Sequence, residues 1–128
     1  MATKKRIFLL ISHKAFREAI ALVLDEEPNL EVVFQAGSLA EAVNLDHNID
    51  IALVDPSLSD GDGLEVVRQV SSRRSNAANT APIALVLTSS GTDAASFKRA
   101  LEAGALGVLS TSCSLEEVVE AIRSSTLV

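Results

Sequence analysis

The sequence predicts an α/β fold: a five-stranded parallel, doubly wound sheet with helices on both faces. Three observations carry this expectation. Short apolar runs alternate along the chain with segments whose apolar residues recur at helical spacing. The central run, Asp50-Ile51-Ala52-Leu53-Val54-Asp55, has four apolar residues in succession, the pattern of a strand buried on both faces. The run closes on Asp55-Pro56 and a loop rich in Ser, Asp and Gly, so a carboxylate stands at the carboxyl end of a central strand. Open parallel sheets gather their ligands and chemistry at that edge.

Each element has its own signal. Ile7 to Ile11 is the first buried strand, and Ser12 is placed to cap the helix after it. Phe16, Ile20, Val23 and Leu24 give that helix one apolar stripe, and Pro28 forbids its continuation. Glu31 to Ala36 is the second strand, and Gly37 turns the chain. Ser38 with Glu41 is a capping-box pattern for a helix to about Asp46. The central strand follows, then a third helix with Leu64, Val67 and Val70 inward. Residues 71–80 form a long polar connection, read as a mobile loop. Pro82 to Leu87 is the fourth strand, ending at Thr88-Ser89. Ala94, Phe97 and Leu101 are read as the inner stripe of a helix that stops at Gly104. Leu106 to Leu109 is the fifth strand, ending at Ser110-Thr111. A capping box at Ser114 and Glu117 opens the last helix, whose apolar face is Leu115, Val118, Val119 and Ile122. Strict alternation requires right-handed crossovers.

Length and composition fit one domain over residues 1–128, with a tail or linker expected from about residue 124. The net charge of −6 argues against this segment binding nucleic acid directly. The single cysteine, Cys113, can form no internal disulfide, and a reducing cytoplasm is the simplest setting. The apolar run after the basic N-terminus is too short for a signal peptide, and no stretch approaches a membrane span.

Several pieces lie in a characteristic order: His13-x-x-Phe16-Arg17-Glu18, Glu31-Val32-Val33, Asp55, Asp62-Gly63-Leu64-Glu65-Val66, and Thr88. Ala100-Leu101-Glu102-Ala103-Gly104-Ala105-x-Gly107 and Glu116-Glu117-x-x-Glu120-Ala121-Ile122 follow them. In that order the chain resembles a response-regulator receiver domain of the kind that precedes a LuxR-type helix-turn-helix output domain. The resemblance implies a flavodoxin-like (βα)5 fold with strand order 2-1-3-4-5. It implies that Asp55 is the phosphoacceptor and that Thr88 is the hydroxyl residue contacting the phosphoryl group. A sensor histidine kinase, a C-terminal DNA-binding output domain and a homodimer are the partners it implies, in two-component phosphorelay signalling and transcription regulation.

The chain departs from the family pattern where the chemistry is most demanding. Ile11 and Ser12 stand where the family carries an acidic pair, and Thr111 stands where it carries a lysine. Val108 replaces an aromatic residue, and Ser89 a small hydrophobic one. Phosphoryl transfer depends on positioning and charge neutralisation, and magnesium wants carboxylate and water ligands. Without the acidic pair the metal site is expected to be lost. The expectation is an atypical receiver, not an enzyme, with weak or no phosphorylation of Asp55 and no cofactor. Two alternatives stay open. One is an authentic phosphoacceptor that uses Mg2+; the other is a pseudo-receiver whose pocket takes a small ligand or anion. Ile11, Ser12, Ser57, Thr88, Ser89 and Thr111 are the expected lining around Asp55.

Other features carry less. Asp60-Gly61-Asp62-Gly63 is read as a turn, because Leu58 and Gln69 break the calcium-loop pattern. Gly61-x-Gly63 lacks the third glycine of a dinucleotide fingerprint. His13 and His47 are isolated, Cys113 has no basic neighbour, and Arg73-Arg74 is a short solvated pair.

Overall fold

The computed structural model describes residues 4–42, 49–72, 83–88, 94–110 and 114–126. Its main sheet has five parallel strands: β1 (Lys5–Leu10), β2 (Leu30–Ala36), β3 (Ile51–Val54), β4 (Ile83–Thr88) and β5 (Gly107–Ser110). Counted in this way, the strand order is β2-β1-β3-β4-β5, as expected. A small antiparallel ladder, Ser57–Leu58 against Gly61–Asp62, folds the loop after β3. The helices are α1 (Lys14–Asp25), α2 (Leu39–Ala42), α3 (Leu64–Ser72), α4 (Ala94–Glu102) and α5 (Leu115–Thr126).

Alternation along the strands divides the core in two. Phe8, Leu10, Ala52, Val54, Ala84 and Val86 face one way and meet Leu64, Val66, Val67 and Val70 of α3 and Ala100 of α4. Ile7, Leu9, Ile51, Leu53, Leu85 and Leu87 face the other way and meet Ile20, Ala21 and Leu24 of α1 and Val118, Val119 and Ile122 of α5. Both faces of the three central strands are therefore covered, which is why their sequences are continuous apolar runs. In register, Leu10 and Val86 flank Val54. Asp55 thus leaves the sheet level with Ile11 and Leu87.

Local signals explain most boundaries. Ser114 and Glu117 cap α5 reciprocally: the Glu117 N–H donates to Ser114 Oγ at 3.1 Å, and the Ser114 N–H to Glu117 Oε1 at 2.9 Å. α4 ends in a Schellman motif, with Ala105 N–H to Ala100 O at 3.1 Å and Gly104 N–H to Leu101 O at 3.0 Å. Gly104 has φ +107°, a region that favours glycine. Helix α5 runs to Thr126, past the point where a tail was expected.

Some expectations are corrected. The N-cap of α1 is His13, whose Nδ1 accepts the Phe16 N–H at 3.2 Å, and not Ser12. Ser12 is drawn to Asp55 instead. In α4, Phe97 and Leu101 are 48% and 42% exposed, and the buried position is Ala100. The inward stripe is rotated by one residue, roughly 100°, so the small side chain meets β4 and the large ones face out. Leu106 is 51% exposed and precedes β5 instead of lying in it. The cap at α2 is only half as expected: Glu41 N–H donates to Ser38 Oγ, but Glu41 Oε1 accepts from Gly37 N–H. Ser71 and Ser72, expected to open the polar loop, are the last residues of α3; the rest of that loop, the helix end near Asp46, His47 and Cys113 lie outside the described residues.

Candidate functional site

Asp55 is positioned by its own strand and by its neighbour. Its N–H donates to Leu10 O at 2.8 Å, so the β1–β3 ladder continues to the carboxylate itself. Oδ2 accepts the Ser12 hydroxyl at 3.0 Å and the Ser12 N–H at 3.4 Å. Oδ1 accepts the Ser57 N–H at 2.9 Å, an Asx-type bond two residues on. The loop before α1 is fixed from below. Arg17 Nη1 donates to Ile11 O at 2.7 Å, and Ile11 N–H donates to Ala36 O at 3.0 Å. Gly63 closes in behind Asp55: a Cβ there would collide with the Asp55 carbonyl oxygen.

These residues surround a cleft of about 430 Å³ lined by Ile11, Ser12, His13, Phe16, Asp55, Ser57 and Leu87. Of the expected lining, Ile11, Ser12 and Ser57 are gathered at Asp55. Thr88 is buried at the end of β4 and lines a neighbouring cavity of about 280 Å³ with Val86, Arg99, Ala100 and Val108. Ser57 lines both spaces. Ser89 and Thr111 lie outside the described residues.

Sequence reasoning missed the parts played by four residues. His13 and Phe16 belong to the first turn of α1, and their nearness to Ser12 was the available signal. Asp60 acts at long range. Its carboxylate accepts the Leu39 and Ala40 N–H groups at 3.0 Å each, and so caps α2 from another loop. Those bonds, Leu39 first and then Ala40, hold the Asp60 carboxyl below its ordinary value. Asp62 accepts the Leu64 N–H at 2.9 Å and pairs with Arg99 Nη2 at 3.3 Å, which ties the loop to α4.

Comparison with known proteins agrees with this architecture. The model of the response regulator receiver domain matches residues 7–123. The chain belongs to this family. It is 30% identical over 123 residues to the transcriptional regulatory protein LiaR of Bacillus subtilis, covering 94% of this chain and 56% of that protein. It is 32% identical over 120 residues to the DNA-binding transcriptional activator DevR/DosR of Mycobacterium tuberculosis, covering 92% and 52%. The chain thus spans about half the length of these curated relatives. The crystal structure of a LuxR-family two-component response regulator from Aurantimonas sp. SI85-9A1 superposes with a TM-score of 0.80 at 28% identity, covering 96% of this chain and 85% of that one.

Receivers are expected to use magnesium, and the residues of this one do not fit it. Ile11 is 2% exposed and presents carbon where a carboxylate would be required. Ser12 is a neutral hydroxyl already committed to Asp55. Among the described residues Asp55 is the one carboxylate lining the cleft. Among the described residues no group of three or more His, Cys, Asp or Glu side chains could hold a metal ion. A magnesium ion prefers an octahedral oxygen shell anchored by carboxylates, and this site gives it one, three of whose acceptor positions are already used.

Proposed function

We propose that this receiver is an atypical member of its family, which signals through protein contacts while Asp55 is phosphorylated weakly or not at all. The observation that carries the reading is the company of Asp55: Ser12 bonded to it at 3.0 Å and Ile11 buried beside it, in place of an acidic pair. Hydroxyl and amide donors keep a carboxylate ionised without a metal, but they supply none of the charge neutralisation that phosphoryl transfer needs. Val108 supports the same reading, because it stands partly buried where a receiver would reorient an aromatic ring.

The setting follows from the family. The domain acts as the N-terminal unit of a LuxR-type transcription regulator, with a helix-turn-helix output domain and a sensor histidine kinase as partners, in the cytoplasm. Among the described residues no helix is long and apolar enough to cross a membrane. Phe97, Leu101 and Leu106 expose apolar surface on and beside α4, which suits a homodimer or a docked output domain.

Incubation with acetyl phosphate and magnesium, followed by intact-mass measurement, tests the reading. The expected result is little or no adduct, and stoichiometric phosphorylation of Asp55 refutes it. That outcome would favour a second reading, an authentic phosphoacceptor. The half-buried carboxylate in an open cleft is the observation on its side.

A further inference from the structure

We propose that the Asp55 cleft binds a small organic ammonium compound with a short apolar body. The inference rests on the reading of Asp55 as a carboxylate without a metal. It begins from the partners of Asp55. Asp55 receives three hydrogen bonds, all from neutral donors. Among the described residues no Lys, Arg or His forms an ion pair with it. Each carboxylate oxygen has two acceptor positions, so the protein leaves room for a further donor at the cleft. A cation at that position would add the charge pairing that neutral donors do not supply.

The walls decide which cation. Phe16 is the partly exposed apolar residue of the lining, over a floor in which Ile11 and Leu87 are 2% and 1% exposed. A hydrated divalent ion finds no oxygen on that side. A primary ammonium group needs none there. Its three N–H donors suit Asp55 and the Ser12 and Ser57 oxygens, while its apolar body lies against Phe16. The Phe16 ring adds an aromatic face to a cleft that holds a charge, an arrangement that favours cations. The volume of about 430 Å³ lies in the range of small-molecule sites.

The same lining rejects other classes. Among the described residues no Lys or Arg lines the cleft. His13 uses Nδ1 to accept the Phe16 N–H. An anion, or the carboxylate of an amino acid, therefore meets no Lys or Arg among the described lining residues, and the net charge of −6 opposes its approach. The preferred ligand is an amine and not the parent amino acid.

The test uses the 15N-labelled chain in phosphate buffer, titrated separately with benzylammonium chloride, benzyl alcohol, sodium benzoate and magnesium chloride. The amide signals of Ser12 and Ser57, both bonded to Asp55, are the reporters. Saturable shifts of both are expected with benzylammonium at millimolar concentration, with the alcohol and the benzoate about tenfold weaker or worse. Asp55→Asn should weaken benzylammonium about tenfold, and sodium chloride should weaken binding to the unaltered chain. The salt series decides the matter if the variant fails to fold. Equal affinity for the alcohol, indifference to salt, or no saturation at these two amides overturns the proposal. Two failures are told apart by the mass measurement. Absent ammonium binding without a phosphoryl adduct refutes this inference alone, whereas magnesium binding with an adduct refutes the reading beneath it.

Discussion

Three glycines should respond in three different ways to replacement by alanine. At Gly63 a Cβ would strike the Asp55 carbonyl oxygen and lie 3.0 Å from both Pro56 Cα and Val54 Cγ1. Two of these obstacles are backbone, so neither can rotate away. Overpacking of this kind costs about 1–3 kcal/mol. For a chain of this size, about 2 kcal/mol lowers Tm by roughly 6–10 °C. At Gly104 the obstacle is the Ser71 side chain, which donates to Gly104 O at 3.0 Å, and the backbone φ of +107° adds strain of about 1–2 kcal/mol. At Gly107 the nearest atom is Leu85 Cδ2 at 3.7 Å, an ordinary contact, and reduced freedom of the unfolded chain should leave Gly107→Ala neutral or stabilised by about 0.5 kcal/mol. Urea denaturation of the three variants measures the order. Gly63→Ala should also shift the Ser57 amide signal, because the displaced atom belongs to Asp55. Equal stabilities at positions 63 and 107 would refute the claim that close approach behind Asp55 shapes the site.

Two further predictions concern other parts of the fold. The folded-state pKa of Asp60 is lowered, so its contribution is present above the unfolded value and is lost as pH falls through the folded one. Asp60→Ala should therefore flatten the acid limb of the stability profile and speed hydrogen exchange at Leu39 and Ala40; an unchanged acid limb with unchanged exchange would contradict the cap. Ile122→Ala, at a fully buried position, should cost about 2–5 kcal/mol in urea denaturation. Phe97→Ala should cost far less, and should shift a monomer–dimer equilibrium seen by light scattering if α4 forms the contact. A costlier Phe97→Ala would mean that the ring is part of the core.

The sheet was legible because burial on both faces leaves a plain mark. Ile51 to Val54 and Ile83 to Leu87 have no polar alternation, and nothing but a covered parallel strand suits them. The capping box at Ser114 was legible because both of its partners lie within one turn. α4 was misread for a definite reason. Apolar spacing marks a face, but Ala100 and Ala103 are also apolar, and only packing decides whether small or large residues meet the sheet. Ser12 was misread as a cap because its competing partner is Asp55, 43 residues away in sequence. The role of Asp60 spans about 20 residues and left no local sign. The replacement of an acidic pair was visible at Ile11 and Ser12; the places of His13 and Phe16 in the cleft required the fold.

Ser57 lines both the Asp55 cleft and the neighbouring cavity that Thr88 lines. Its amide hangs on the carboxylate it faces, and across the small ladder it is the partner of Asp62. Asp62 in turn holds Arg99 of α4 through a pair with both side chains exposed, an interaction worth about 0–1 kcal/mol. The cleft and the cavity therefore share one residue, and a short chain of contacts runs from Asp55 through Ser57 and Asp62 to Arg99 on α4.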